Sequence, residues 1–405
     1  MKRREVEMLW KPGKIELLAP ARDLRSARAA IDCGADAVYM GGPRFGARQA
    51  AGNSVADIAA VAEYARRFGV RVYVTLNTLL FDDELADAER IARQVVEAGA
   101  DALIVQDMAY LEMELEGVEL HASTQTFNAS PEKAAFLADC GFSRVILERN
   151  LSLEEIRRIR AATDVELECF VHGAICVCYS GRCYMSRTMS PRSGNRGDCM
   201  QACRLPYDLL DAAGNVLMAG KHLLSVRDMD LSGRLGDLLD AGVTSFKIEG
   251  RLKDEAYVRN VVAWYRTCLD REIAARPGLV RASEGQSDPG FEPDLARTFS
   301  RGRTEYFFDG RRARVSTPDT PKAVGGFVCR VARSGPGWFE LQGGEAFAPG
   351  DGICFMYGGR LAGTNVNGTE GGRVQLNKEW KLPAGTEIYR NYDRRFSARL
   401  EGARA

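Results

Sequence analysis

The first 260 residues alternate short β-rich runs with amphipathic helical stretches, and this alternation constrains the fold more than any other feature of the chain. Eight runs read as strands: Ile15–Ala19, Ala37–Met40, Arg71–Leu76, Ala102–Val105, Val118–His121, Arg144–Leu147, Glu166–Val171 and Ser245–Ile248. Several follow Gly-Ala or Gly-Val steps, among them Gly34-Ala35, Gly99-Ala100 and Gly242-Val243, where a glycine ends a helix and turns the chain into the next strand. Between them, Asp23–Cys33 puts Leu24, Ala27, Ala30 and Ile31 on one helical face, and Asp87–Glu97 does the same with Ile91, Val95 and Val96. Regular strand–helix alternation predicts an α/β fold with a parallel sheet. Eight strands close a TIM-like (β/α)₈ barrel, whose chemistry sits at the C-terminal strand ends. The alternative, an open doubly wound sheet, usually carries a glycine fingerprint after its first strand, and Leu18-Ala19-Pro20-Ala21 has none.

The barrel is expected over residues 1–276. Its rhythm breaks once, at an insertion over 173–242, far longer than an ordinary βα connection and therefore a candidate for function. Residues 277–320 read as a connecting segment, with the polar stretch Pro277–Pro293 as a linker or mobile loop. From Pro321 to about Tyr392, short apolar runs alternate with glycine turns, which predicts a small β-barrel or sandwich over 321–405.

The insertion holds the central chemical signal, Cys176-x6-Cys183-x15-Cys199-x3-Cys203. Four thiolates set among glycine and arginine are poor core material and can satisfy an iron–sulfur cluster or a structural zinc. Zinc ribbons usually show two close C-x2-C pairs, and this spacing has one close pair, Cys199-x3-Cys203. Cys169 and Cys178 lie nearby as competing ligands, whereas Cys33, Cys140, Cys268, Cys329 and Cys354 sit in apolar or isolated contexts. No stretch is long and apolar enough to span a bilayer, and the basic N-terminus lacks the apolar run of a signal peptide. The expected location is the cytoplasm, with no membrane partner, where clustered cysteines point to metal or redox chemistry rather than disulfides.

The segments Glu168–Cys176, Tyr179-Ser180-Gly181-Arg182-Cys183 and Asn195-Arg196-Gly197-Asp198-Cys199 together resemble the signature of the peptidase U32 family. The resemblance extends through Gly41–Arg48, Thr75-Leu76-Asn77-Thr78, Ile104–Asp107, Leu120–Gln125, Lys221–Ser225 and Ser245–Arg251, and looks most like the branch that hydroxylates a cytidine of 23S ribosomal RNA. It implies a [4Fe–4S] cluster on Cys176, Cys183, Cys199 and Cys203. It also implies oxygen-independent formation of 5-hydroxycytidine or 5-hydroxyuridine in rRNA or tRNA, with prephenate as co-substrate. Other relatives serve ubiquinone hydroxylation, and the family name reflects an older assignment as collagenase-like peptidases. That hydroxylase continues well beyond the small β domain, so this chain, ending at Ala405, is expected to be a shortened form.

Side chains near the expected barrel mouth supply the remaining candidates. His121 and His172, at strand ends, are the preferred catalytic histidines; His222, the third in the chain, lies in the insertion. Lys247 and Glu249 alternate to the same side of the eighth strand and are expected as a buried pair serving proton transfer or an anionic ligand, with a structural ion pair as the plain alternative. Arg44, Arg48, Gln106, Gln125, Glu148, Arg149 and Arg251 follow strands, and forked guanidinium donors suit a dicarboxylate such as prephenate.

The chain carries 55 basic and 55 acidic residues, so any case for nucleic acid is local. Arg182, Arg187, Arg192, Arg196 and Arg204 share their stretch with a single acid, Asp198, and with Tyr179, Tyr184 and Tyr207 interleaved as stacking platforms. Arg192 and Arg196 are the RNA-contact candidates, and Arg301, Arg303, Arg311, Arg312 and Arg314 form a second run. H-E-x-x-H and G-x-S-x-G are absent, which argues against a peptidase.

Overall fold

A computed structural model describes residues 13–311 and 315–402; the N-terminal basic stretch, Arg312 and Arg314 lie outside the described residues. Eight parallel strands form a closed barrel: β1 (Lys14–Pro20), β2 (Ala37–Gly41), β3 (Arg71–Leu76), β4 (Ala102–Val105), β5 (Glu119–Ala122), β6 (Arg144–Ile146), β7 (Glu166–Gly173) and, after the insertion, β11 (Ser245–Ile248). β11 closes the ring between β1 and β7, with Glu16 opposite Ser245 and Ser245 opposite Glu168. The insertion holds three further strands, the hairpin β8 (Tyr207–Leu210) and β9 (Val216–Lys221), and β10 (Asp228–Asp230).

Helices α1 (Leu24–Asp32), α2 (Val55–Arg66), α3 (Leu85–Glu97), α4 (Pro131–Asp139) and α5 (Leu153–Ala162) surround the strands. Their starts follow local chemistry: Asp23, Ser54, Ser130 and Ser152 each accept a first-turn N–H, and Ser54–Asp57 and Ser152–Glu155 complete capping boxes. Only a short 3₁₀ turn, Met108–Leu111, follows β4 in place of a helix. Outward strand residues such as Leu17, Val74, Leu103, Leu167 and Phe246 are fully buried beneath this layer.

The insertion adds α6 (Met185–Met189) and α7 (Leu235–Asp240), and α8 (Glu255–Ala274) follows β11. β10 runs antiparallel to the end of β7 and pairs in turn with β13 (Arg303–Thr304). The stretch expected as a linker or mobile loop is fastened to the barrel instead. β12 (Val280–Arg281) pairs with the start of β1, and Ser283 Oγ donates to buried Asp36 at 2.6 Å.

Six antiparallel strands build the second domain, also a closed barrel: β14 (Gly326–Gly335), β15 (Trp338–Gln342), β16 (Gly352–Tyr357), β17 (Arg360–Glu370), β18 (Arg373–Leu376) and β19 (Glu387–Tyr392). Its core gathers Val331, Phe339, Phe355, Val374 and Ile388. The final helix, α9 (Arg394–Gly402), returns to the first domain, where Phe396 meets Phe291 edge to face and Asp393 accepts from Arg297 at 2.8 Å. Among the described residues no helix is long and apolar enough to cross a membrane.

Candidate active site at the barrel mouth

Polar residues at the C-terminal ends of β2, β3, β5, β6 and β11 converge on a narrow pocket of about 30 Å³. Lys247 forms part of its floor, with Nζ 2.8 Å from Glu168 Oε1 and 4.3 Å from the centre of the Tyr39 ring. Burial pulls the ammonium below its usual value, opposed by Glu168. Glu249, just past the end of β11, accepts from Arg149 Nη2 at 2.8 Å. Burial alone would raise its carboxyl, but Arg48, Arg149 and Arg251 outweigh that and hold it below the usual carboxylate range. The expected Lys247–Glu249 pair is therefore two separate pairs, because Glu168 on neighbouring β7 and Arg149 beyond the end of β6 reach each charge first.

Arg251 is 5% exposed and donates Nη1 to Thr75 Oγ1, while its Nε has no partner. Arg149 stacks on Phe170 with Cζ 3.8 Å from the ring centre, and its Nε is likewise unpartnered. Arg48 lines the pocket and donates to the Ala47 carbonyl at 2.8 Å. In all, Arg48, Arg149, Lys247 and Arg251 face two carboxylates, Glu168 and Glu249, leaving an excess of two positive charges. A low-dielectric pocket with such an excess favours an anionic ligand.

Above this pocket the insertion encloses a larger cavity of about 690 Å³, lined by Cys176, Cys183, Cys199 and Cys203, with Cys178 beside them. The two cavities share Arg48, Gln125, Arg149 and Glu249, so one opens onto the other. Burial raises the Cys203 thiol; Arg204 opposes this, and Cys176, Cys199 and Cys183 each add to the rise. The Gln201 amide donates to Cys199 Sγ at 3.3 Å, and Asn195 Oδ1 accepts from the Cys183 amide at 3.1 Å.

Two glycines let the insertion press onto the barrel loops. At Gly181, φ +70°, a Cβ would lie 2.0 Å from the Gln125 carbonyl oxygen, and at Gly197, φ +89°, 2.4 Å from that of Gly46. Among the described residues no three His, Cys, Asp or Glu side chains converge to hold one ion. A single zinc needs its sulfurs about 2.3 Å from one centre, whereas a four-iron cluster takes one thiolate per iron and spreads them apart. Four cysteines lining one cavity supply the number of thiolates that either centre uses.

The remaining candidates disperse. His121 is fully buried, 3.2 Å from Glu119 and edge-on to Tyr73, and along its own segment the pocket wall begins only at Ser123. His172 does not enter the barrel: the pairing of β7 with β11 shifts register at Lys247/Ile248, and its ring packs on Tyr257 and Tyr265 of α8. Burial lowers it to about 4, opposed by Asp230 and Asp228. His222 bonds the Arg204 carbonyl.

Arg44 pairs with Asp87 at the surface, and Gln106 donates to the Gln125 carbonyl outside the pocket. Arg192 lines the cysteine cavity but pairs with Asp198, and Arg196 is committed to Glu84, tying the insertion to the loop before α3. Cys169 is buried outside both cavities, where burial raises its thiol. The sequence pattern assigns no role to Glu168, Thr75 or Asn77, although all three lie in the segments Glu168–Cys176 and Thr75-Leu76-Asn77-Thr78 that carry the family resemblance.

A cationic barrel mouth beneath a four-cysteine cavity defines the class of site, and the chain belongs to Peptidase family U32, whose model matches residues 22–317. The chain is 49% identical to the 23S rRNA 5-hydroxycytidine C2501 synthase of Escherichia coli (strain K12) across 92% of its own length, and spans 57% of that protein. It is 35% identical to the tRNA hydroxylation protein P1 of Bacillus subtilis (strain 168), covering 76% of each chain. The Collagenase of Porphyromonas gingivalis is 30% identical over 92% of this chain and 93% of that one.

Proposed function

We propose that this protein is an oxygen-independent RNA hydroxylase, forming 5-hydroxycytidine or 5-hydroxyuridine in rRNA or tRNA, with a [4Fe–4S] cluster and prephenate as co-substrate. The observation that carries this reading is the cysteine-lined cavity opening directly onto the cationic barrel mouth. Relatives named for rRNA and tRNA hydroxylation support the RNA substrate. Cys176, Cys183, Cys199 and Cys203 would hold the cluster, which supplies electron-transfer chemistry when bound. Arg48, Arg149 and Arg251 bind and orient the dicarboxylate, whose two charges match the excess of two at the mouth. Lys247, fixed by Glu168, presents an amine at the floor for holding a proton, and the insertion lies over the mouth.

Neither cavity is lined by a histidine among the described residues, so no nucleophile–base pair favours proteolysis there. Nucleoside mass spectrometry of rRNA and tRNA from cells lacking the gene tests the reading. One 5-hydroxypyrimidine should vanish and return with the wild-type gene but not with Arg251→Met. Unchanged nucleosides, or gelatin hydrolysis that co-purifies with the protein and is lost with one substitution, would contradict it.

A further inference from the structure

At the rim of the cysteine cavity, Tyr179, Ser180, Gly181 and Arg182 form one tight turn, closed by the Arg182 amide donating to the Tyr179 carbonyl at 3.2 Å. Its third position, Gly181, takes the left-handed φ that such a turn requires and cannot carry a Cβ against the Gln125 carbonyl. Its second position is fixed from below: Ser180 donates both its amide and its Oγ to Glu148, at 3.2 and 3.0 Å. The turn is thus anchored through its centre, and its two corners project over a single ring, Phe127. Tyr179 meets Phe127 edge to face at 4.9 Å, and the Arg182 guanidinium lies over its face at 4.1 Å.

Phe127 itself sits at φ +61°, a left-handed conformation that costs a non-glycine residue energy and recurs at ligand-binding sites. A core contact would not need this arrangement, because the assembly is on the outside. Tyr179 is 45% exposed, and Arg182 is exposed too. Among the described residues no carboxylate lies within ion-pair distance of Arg182, unlike Arg192 and Arg196 in the same run. A planar cation, over a ring and without a counter-charge, stands beside a cavity that Tyr179 also lines.

We propose that Arg182, backed by Phe127 and edged by Tyr179, is a stacking platform for an unpaired nucleobase flanking the one that enters the cysteine cavity. This rests on the RNA reading above and adds a second base subsite to it. The outer face of the guanidinium takes the base, as arginine planes do in single-strand recognition, and its free N–H edge is available to the adjoining phosphate. The rigid turn holds the plane in place before RNA arrives, so little ordering is left for the binding step.

The test uses anaerobically purified full-length protein and a short single-stranded RNA with 2-aminopurine beside a cytidine. Binding is read by anisotropy and stacking by quenching of the 2-aminopurine. Wild-type protein should bind and quench. Arg182→Ala should abolish the quench, weaken binding about tenfold and reduce the salt slope by about one. Arg182→Lys should restore the salt slope but not the quench, which separates a plane from a charge. Phe127→Leu should reduce the quench with the salt slope intact. Iron content and melting temperature of each variant should match the parent, which keeps misfolding out of the comparison. Arg182→Ala that binds and quenches like the parent, or Arg182→Lys that quenches fully, overturns the platform. RNA binding by wild-type protein without any quench overturns the platform alone, and no RNA binding by wild-type protein overturns the RNA reading with it.

Discussion

Inside the barrel, Arg144 near the start of β6 and Arg251 at the mouth are both buried, yet only the first is surrounded by carboxylates. Arg144 reaches Glu16 at 2.6 Å, Glu166 at 2.9 Å and Glu168 at 3.0 Å, and Tyr73 adds a hydrogen bond to Glu16. The surplus negative charge of this lower layer is relieved within the protein. Glu168 is shared with Lys247, and burial, only partly opposed by Arg144, raises Glu166 to about 7. At the mouth, by contrast, Arg251 has one hydroxyl and an idle Nε, and the cations outnumber the carboxylates. Charge balanced inside the fold serves the fold, and buried charge left unbalanced waits for a ligand.

Arg144→Met breaks the balanced layer. It leaves three buried carboxylates without their shared cation and should cost ~3–5 kcal/mol of stability. Chemical denaturation checks this, and an unchanged midpoint would erase the distinction between the layers. Arg251→Met sharpens it from the other side. The melting temperature should hold or rise, because an unpaired buried charge is removed, while prephenate binding, read as a ligand-induced thermal shift, should weaken roughly hundredfold. Equal loss of fold stability in both variants would contradict the account.

The smallest effect is on pH dependence. Because the folded chain raises Glu166 from 4.5 to about 7, the stability it contributes is complete below about 4.5 and is lost as pH rises through about 7. Glu16 has the opposite sign: burial would raise it, but Arg144 and Tyr73 hold it at about 2, so its contribution is lost only as pH falls below the usual carboxylate range. Glu166→Gln should flatten the melting temperature between pH 4.5 and 7 and leave the acid limb in place. An unaltered slope would remove Glu166 from the account.

The barrel was legible because its signal is local. β3, β4 and β11 occupy the residues that the apolar runs mark, and the glycine turns after Pro321 bound a closed barrel. The strand-end rule also found Arg48, Gln125, Arg149, Lys247, Glu249 and Arg251, all of which line the mouth. It failed at His172, where an irregular register turns the side chain outward, and a period of two cannot anticipate a bulge. Charge partners were equally hidden: Lys247–Glu168 and Arg196–Glu84 join residues far apart in the chain. The segment after Arg276 looked loose because it is polar, but β12 and Ser283 dock it onto β1 and Asp36 through hydrogen bonds that composition does not register.

Iron and acid-labile sulfide analysis of protein purified without oxygen tests the central claim most directly. The account predicts about four irons and four sulfides per chain. Serine at Cys176, Cys183, Cys199 or Cys203 should strip them, and serine at Cys33 or Cys268 should not. One zinc per chain in place of iron, or iron that survives loss of all four thiols, would contradict it.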